Sequence, residues 1–382
     1  MPITPFQVEV SDQVLADLRD RLSRTRYPNQ IAGVDWDQGT DLTYLKELVD
    51  YWLDRYDWRA NEARLNQVDQ FTTSIDGQRI HFVHARSPRP DALPLLLSHG
   101  WPGSIVEFLG VIDPLRDPGS HGASTTDAFH VIAPSLPGYA FSGPTTEPGW
   151  HPRRIAHAYL QLMDELGYQR FGVQGGDWGS IVTANMADLA PAQVVGLHLN
   201  FVAVPRPRDE DPSQLSPEES SAVAAMSEWR RTGAGYQEIQ GTKPQTLGYS
   251  LEDSPAGLAA WITEKFRAWS DCGGDIERSF TKDQLLTNIT VYWVTATATS
   301  STRLYYEMRQ AGLAAIPQGY VDVPTGIACY PAEVTKPPRR WVERRYRVTH
   351  WAEMPRGGHF AAMEVPDLFV DDVRTFFRTA RS

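Results

Sequence analysis

The chain predicts an α/β fold: a mostly parallel central sheet covered on both faces, a helical insertion, and a helical N-terminal stretch. Three observations carry this. Short apolar runs alternate with helical periodicity from residue 94 to 204, the pattern of strand–helix–strand units. The alternation stops, and 222–310 reads as helix throughout, with no clear strand. Two strand-like runs then return ahead of a last amphipathic segment.

In order along the chain, Ser11 to Ser23 places Val14, Leu15, Leu18 and Leu22 on one helical face, with Ser11 as its N-cap. Asp41 to Tyr56 repeats this with Leu42, Leu45, Leu48, Val49 and Leu53, and Tyr27-Pro28-Asn29 and Gly33 break the chain between them. Val68–Ile75 and Ile80–Ala85 read as a hairpin turned at Asp76-Gly77. Strands are expected at Pro94–Ser98, Ala128–Ala133, Phe171–Val173 and Val194–Val202, and helices at Ile105–Leu115, Arg154–Leu166 and Trp178–Leu189. Residues 205–220, rich in Pro, Asp, Glu and Ser, read as a linker into the helical region. Tyr320–Thr325, continued by Gly326–Tyr330, and Tyr346–Glu353 are the returning strands, and Asp367–Thr379 is the closing helix. The expected units are 1–65, a first core part 66–204, a helical cap 205–318 and a second core part 319–382.

Composition sets bounds. Hydrophobic residues at 41% and charged residues at 22% are ordinary for a soluble globular protein, and a net charge of −11 argues against nucleic acid or an anionic membrane as partner. No run of about 18 apolar residues marks a membrane helix, and the N-terminus lacks the basic start and apolar run of a signal peptide. Cys272 and Cys329 are too few for a disulfide framework and lack metal-ligand spacing, so a cytoplasmic setting and no metal are expected. Self-association as a homo-oligomer is compatible with the sequence.

Chemistry gathers at Gly175-Gly176-Asp177-Trp178-Gly179-Ser180, where a strand-like run meets a helical one. Small residues two before and two after an apex residue allow a turn sharp enough to expose one side chain. Serine at such an apex performs acyl transfer. Aspartate instead attacks a saturated carbon and becomes an ester. His99-Gly100-Trp101-Pro102 follows the strand ending at Leu97, Pro331-Ala332-Glu333 follows a later one, and Gly357-Gly358-His359-Phe360 lies near the end. The order Asp177, Glu333, His359 is nucleophile, acid, base, as in the triad of an α/β-hydrolase fold. Glu353 and Glu364 compete with Glu333 for the middle role. The N–H groups of Trp178, after the nucleophile, and of Trp101 are the expected oxyanion donors.

Gly-Gly-Asp-Trp-Gly, His-Gly-Trp-Pro, Pro-Ala-Glu and Gly-Gly-His-Phe together resemble the microsomal-type epoxide hydrolases. The resemblance covers nearly the whole chain and extends to Gly-Tyr-Ala-Phe-Ser at 138–142, Gly-Thr-Lys-Pro-Gln-Thr at 241–246 and Asp-Ser-Pro-Ala-Gly-Leu-Ala-Ala at 253–260. It implies that residues 1–65 form the family's N-terminal meander. It implies that Asp177 is the nucleophile, His359 the base and Glu333 the third member. It also implies two cap tyrosines that grip the epoxide oxygen: Tyr236, and Tyr305 with its neighbour Tyr306 one position away. A phenol with a pKa near ~10 stays protonated at neutral pH and can donate to a departing alkoxide. Trp101, Trp178, Tyr236 and Tyr305 would then contact substrate. Mammalian members begin with a membrane anchor, whereas this chain starts in the amphipathic region, like soluble microbial members.

The activity so implied is addition of water to an epoxide, giving a vicinal diol, without metal or organic cofactor, in either a detoxifying or a biosynthetic setting. A haloalkane dehalogenase shares the aspartate elbow and the tryptophan after it, and a non-catalytic ligand-binding protein of the same fold is the other alternative.

Overall fold

The computed structural model describes residues 2–207, 209 and 211–381, so two residues of the expected linker, 208 and 210, lie outside the described residues. The strands are β1 (Thr4–Phe6), β2 (Gln70–Ile75), β3 (Gln78–Ala85), β4 (Leu93–Ser98), β5 (Phe129–Pro134), β6 (Phe171–Gly175), β7 (Val194–Leu199), β8 (Val321–Cys329) and β9 (Tyr346–Glu353). They form one sheet in the order β1-β2-β3-β5-β4-β6-β7-β8-β9. β1, β2, β3 and β5 pair antiparallel, and from β5 to β9 every neighbour is parallel. The β2–β3 turn takes positive φ at Asp76 and Gly77, as a two-residue hairpin of this hand requires.

Helices α1 (Asp12–Ser23), α2 (Leu42–Asp54) and α3 (Trp58–Leu65) precede the hairpin. Short α4 (Ile112–Arg116), then α5 (Pro152–Glu165) and α6 (Asp177–Leu189), lie between core strands. Among the described residues, six α-helices lie between β7 and β8: α7 (Pro217–Thr232), α8 (Gly235–Thr242), α9 (Pro244–Asp253), α10 (Pro255–Ala268), α11 (Lys282–Val294) and α12 (Ala298–Ala311). α13 (Arg339–Glu343), α14 (Ala361–Glu364) and α15 (Pro366–Ala380) complete the chain.

Three details differ from the sequence expectation. The N-terminal region contributes β1 to the sheet edge and a third helix, α3. β1 is three residues long, with Thr4 and Pro5 exposed, too short for alternation to register. The single helix expected at Ile105–Leu115 is a 3-10 turn at Ile105–Phe108 followed by α4. Pro114 has no N–H and fits only a first helical turn, so the α-helix starts two residues before it. The expected linker also contains the start of α7, capped by Ser216 and Glu219 in a reciprocal capping box.

Burial follows from pattern. β4 and β5 are buried on both faces, as parallel central strands are. Phe376 and Phe377 of α15 press into the sheet where Gly172, Gly196 and Gly326 of β6, β7 and β8 leave room. Asp372 of α15 accepts from His198 of β7 at 2.9 Å and His350 of β9 at 2.7 Å, tying helix to sheet. The N-terminal helices clasp the insertion: Arg21 pairs with Asp253, and the Tyr51 hydroxyl donates to Asp283 at 2.9 Å.

Strand order sets where chemistry can occur. From β4 the connection runs to β5 on one side, while β6 lies on the other. This reversal opens a crevice at the carboxyl ends of β4 and β6, where ligands bind in open α/β sheets. His99 to Trp101 leave β4 there, and Gly176 and Asp177 leave β6.

Candidate active site

Asp177 begins α6 with φ +47°, the left-handed region that costs a non-glycine residue about 1 kcal/mol. The flanking glycines make this turn possible. A Cβ at Gly179 would collide with the Ser98 carbonyl, and one at Gly175 with the backbone of Gly179. A Cβ at Gly100 would fall inside the Asp177 side chain, so that glycine lets β4's loop reach the carboxylate.

The Trp101 N–H donates to Asp177 Oδ1 at 2.8 Å. The Trp178 N–H lies in the first turn of α6, where backbone donors have no intrahelical acceptor. The Trp101–Pro102 peptide is cis. α11 holds the loop that follows. Asn288 Nδ2 donates to the Pro102 carbonyl at 2.8 Å, and the Tyr292 hydroxyl to the Gly103 carbonyl at 2.6 Å.

His359 sits opposite, after β9. Its Nε2 is 3.4 Å from Asp177 Oδ2, and its Nδ1 lies 2.7 Å from Glu333 Oε1. An isolated bridge between Ala332 and Gly358 aligns the two loops. The His359 N–H donates to the Trp269 carbonyl at 2.8 Å, and a side chain at Gly358 would clash with that carbonyl. Burial by itself would depress the imidazole. The Glu333 charge and the hydrogen bonds to Asp177 and Glu333 outweigh burial and hold it well above its ordinary value. The rivals are placed elsewhere. Glu353 is exposed and accepts from the Trp351 indole, while Glu364 accepts from the Phe360 and Asp271 backbone N–H groups.

Two helices of the insertion bring both phenols to this point. The Tyr236 ring, from α8, stacks on Trp101 at 5.1 Å and 11°. The Tyr305 ring, from α12, lies 4.7 Å from Trp178 and 5.7 Å from Tyr236. Tyr305 is 7% exposed, while Tyr306 is 37% exposed and borders a groove with Thr145 and Thr242. Burial raises both phenols above their ordinary value, and the Asp177 charge pushes further in the same direction. Both therefore stay protonated donors at neutral pH.

A model described as "Epoxide hydrolase N terminus" matches residues 3–108, and one described as "alpha/beta hydrolase fold" matches 94–238. A putative epoxide hydrolase of Stigmatella aurantiaca is 48% identical over 381 residues, spanning 100% of this chain and 86% of that protein. Epoxide hydrolase 1 of Sus scrofa is 40% identical over 98% of this chain and 88% of its own length. The chain belongs to the epoxide hydrolase family. The crystal structure of juvenile hormone epoxide hydrolase from Bombyx mori superposes with a TM-score of 0.92 at 32% identity, covering 100% of this chain and 95% of that one. The Aspergillus niger epoxide hydrolase gives 0.89 at 31% identity, with 100% and 97% covered.

All seven residues expected from sequence in this epoxide hydrolase, Asp177, His359, Glu333, Tyr236, Tyr305, Trp101 and Trp178, meet at one site. Sequence reasoning missed Trp269, whose ring lies 5.3 Å from Tyr236 and 5.1 Å from His359. Unlike Trp101 and Trp178 it lies in no motif, and nothing in the sequence separates it from the other nine of the 12 tryptophans. Lys265 was also missed; its amine sits 4.6 Å over the Tyr236 ring beside Glu264. Among the described residues, no group of three or more His, Cys, Asp or Glu side chains is placed to hold a metal ion. No helix of the described residues is long and apolar enough to cross a membrane.

Proposed function

We propose that this chain hydrolyses an epoxide to a vicinal diol in two steps at Asp177. The Asp177 carboxylate attacks one ring carbon, the C–O bond breaks, and the departing oxygen takes its proton from Tyr236 or Tyr305. A hydroxyalkyl ester of Asp177 results. Water, deprotonated by His359, then adds to the ester carbonyl. The N–H groups of Trp101 and Trp178 receive the oxyanion, the ester bond breaks, and the diol leaves.

The observation that carries this reading is a pair of buried phenols, packed on Trp101 and Trp178 and near enough to Asp177 to feel its charge, beside a carboxylate that is itself 3.4 Å from an imidazole. An alkoxide is a poor leaving group and needs a proton; halide does not, so a dehalogenase has no use for two phenols there. Burying an Asp–His–Glu chain costs free energy, which a binding protein for an apolar ligand has no reason to spend. Ester formation also explains how a protonated His359 becomes a base. Alkylation neutralises Asp177 and removes part of what holds the imidazole's proton, which passes to the tyrosinate left by ring opening, so that His359 is neutral when water arrives.

In this reading residues 205–318 are the cap that carries the phenols, and 1–65 the meander that straps it to the core. A cytoplasmic setting is in keeping with Cys272 and Cys329, which are both free. Styrene oxide turnover tests the proposal. The wild-type protein should release phenylethanediol and Asp177→Asn should not. Turnover by Asp177→Asn at the wild-type rate would refute it.

A further inference from the structure

Glu107 has no part in the scheme above, yet it stands beside the triad. It belongs to the 3-10 turn Ile105–Phe108 and is buried, and its Oε1 has no hydrogen-bond partner among the described residues. That oxygen occupies the place a Cβ would take at residue 103, so Gly103 is what admits it. A cavity of about 20 Å³ is lined by Glu107, Gln174, Asp177, Asn200 and His359. This is room for one water, which needs two to four polar partners. Two are waiting: Glu107 Oε1 and Gln174 Oε1 are both buried and unpartnered, the Gln174 amide being turned to donate to Asn200 Oδ1 at 2.6 Å.

We propose that Glu107 is a positioning residue for the hydrolytic water, holding it in this cavity for deprotonation by His359. The inference rests on the ester route proposed above. The water gives one proton to His359 Nε2 while its other hydrogen bonds to Glu107. Its oxygen forms a bond to the Asp177 carboxyl carbon. The ester C–O bond then breaks, and the diol alkoxide recovers the proton from His359. Burial pushes the Glu107 carboxyl up to about 8, against the pull of His359 and with the push of Asp177. At neutral pH it is therefore mostly uncharged, and a neutral acid can hold water without competing with Asp177 for the imidazole's charge. Glu107 and Ala362 also border a second cavity of about 70 Å³ that reaches Asn61 and Arg64 of α3. Glu107 thus stands between the triad and the meander side, away from the phenols.

The test separates the two half-reactions. Wild-type protein, Glu107→Gln and Glu107→Ala are mixed with styrene oxide and quenched at intervals for intact-protein mass spectrometry. Ester formation should proceed at the wild-type rate in both variants. Ester breakdown should slow roughly 10- to 100-fold in the alanine variant. It should slow less in Glu107→Gln, which keeps an acceptor oxygen, so the adduct accumulates in graded fashion. Breakdown at the wild-type rate in a folded variant would overturn the inference, and so would equal slowing of both phases, the mark of a structural role. Glu107→Gln is isosteric and keeps the test decisive if the alanine variant does not fold. If the wild-type protein forms no ester at any time, the ester route itself fails, an outcome distinct from failure at Glu107 alone.

Discussion

Replacing Tyr305 with Phe and, separately, Tyr306 with Phe probes the site most sharply. The two residues are neighbours on α12, about 100° apart around the axis. One ring packs against Trp178 at 4.7 Å, and the other side chain is 37% exposed. Tyr305→Phe keeps the ring and its packing and removes only the hydroxyl. The lost interaction is a hydrogen bond to a developing alkoxide, worth about 1.5–3 kcal/mol for a charged acceptor. That corresponds to a loss of roughly 10- to 150-fold in the rate of ester formation. Tyr236 remains, so activity persists. Tyr236→Phe should behave alike, and the double variant should lose roughly 10²- to 10⁴-fold if the donors act independently. Tyr306→Phe is a surface change worth less than about 0.5 kcal/mol and should leave the rate within about twofold. The assay is single-turnover ester formation by rapid quench, with denaturant midpoints to confirm that the fold is unchanged. Loss in Tyr306→Phe without loss in Tyr305→Phe would refute the assignment. So would a Tyr305→Phe defect confined to ester hydrolysis, because the phenols would then not serve the leaving oxygen.

Four further outcomes follow from the geometry. One turnover in heavy-oxygen water should leave the label on the Asp177 carboxylate and none in the diol, read by peptide mass spectrometry; label in the diol alone would exclude the ester. His359→Gln should open the epoxide once and stop, trapping an adduct of one substrate mass. Glu333→Gln should show a weaker form of this defect. Because the Glu333 charge raises His359, whose base form is lost as pH falls, the acid limb of ester hydrolysis should also move to lower pH in that variant. Asp372→Ala leaves His198 and His350 without their shared acceptor and should lower stability by about 3 kcal/mol, seen in the denaturant midpoint, with ester formation unaffected.

Much of this is legible in the sequence alone. The elbow was readable because its requirement is local. Glycines at 175 and 179 answer clashes within a few residues of Asp177 or with the adjoining strand end. The core strands were readable because burial on both faces leaves unbroken apolar runs, as at Leu95–Leu97 and Val131–Ala133. The chain order of Asp177, Glu333 and His359 was readable because each follows a strand-like run.

Other features are not written locally, and only the tertiary structure decided them. Glu333, Glu353 and Glu364 are chemically equal in sequence; the Ala332–Gly358 bridge brings one of them to 2.7 Å from His359. Tyr305 and Tyr306 differ by one step of a helix whose facing is set by packing against α8 and α9. Trp269 and Glu107 carry no motif, and their significance comes from what lies beside them: a histidine 90 residues later for one, a small cavity lined also by Asp177 and His359 for the other. The physical reason is common to all four. Sequence specifies backbone conformations and which faces avoid water, interactions that act over a few residues. Which polar atoms are then buried together is settled by how distant elements pack, and there one residue of register decides between a phenol buried against Trp178 and a side chain in solvent.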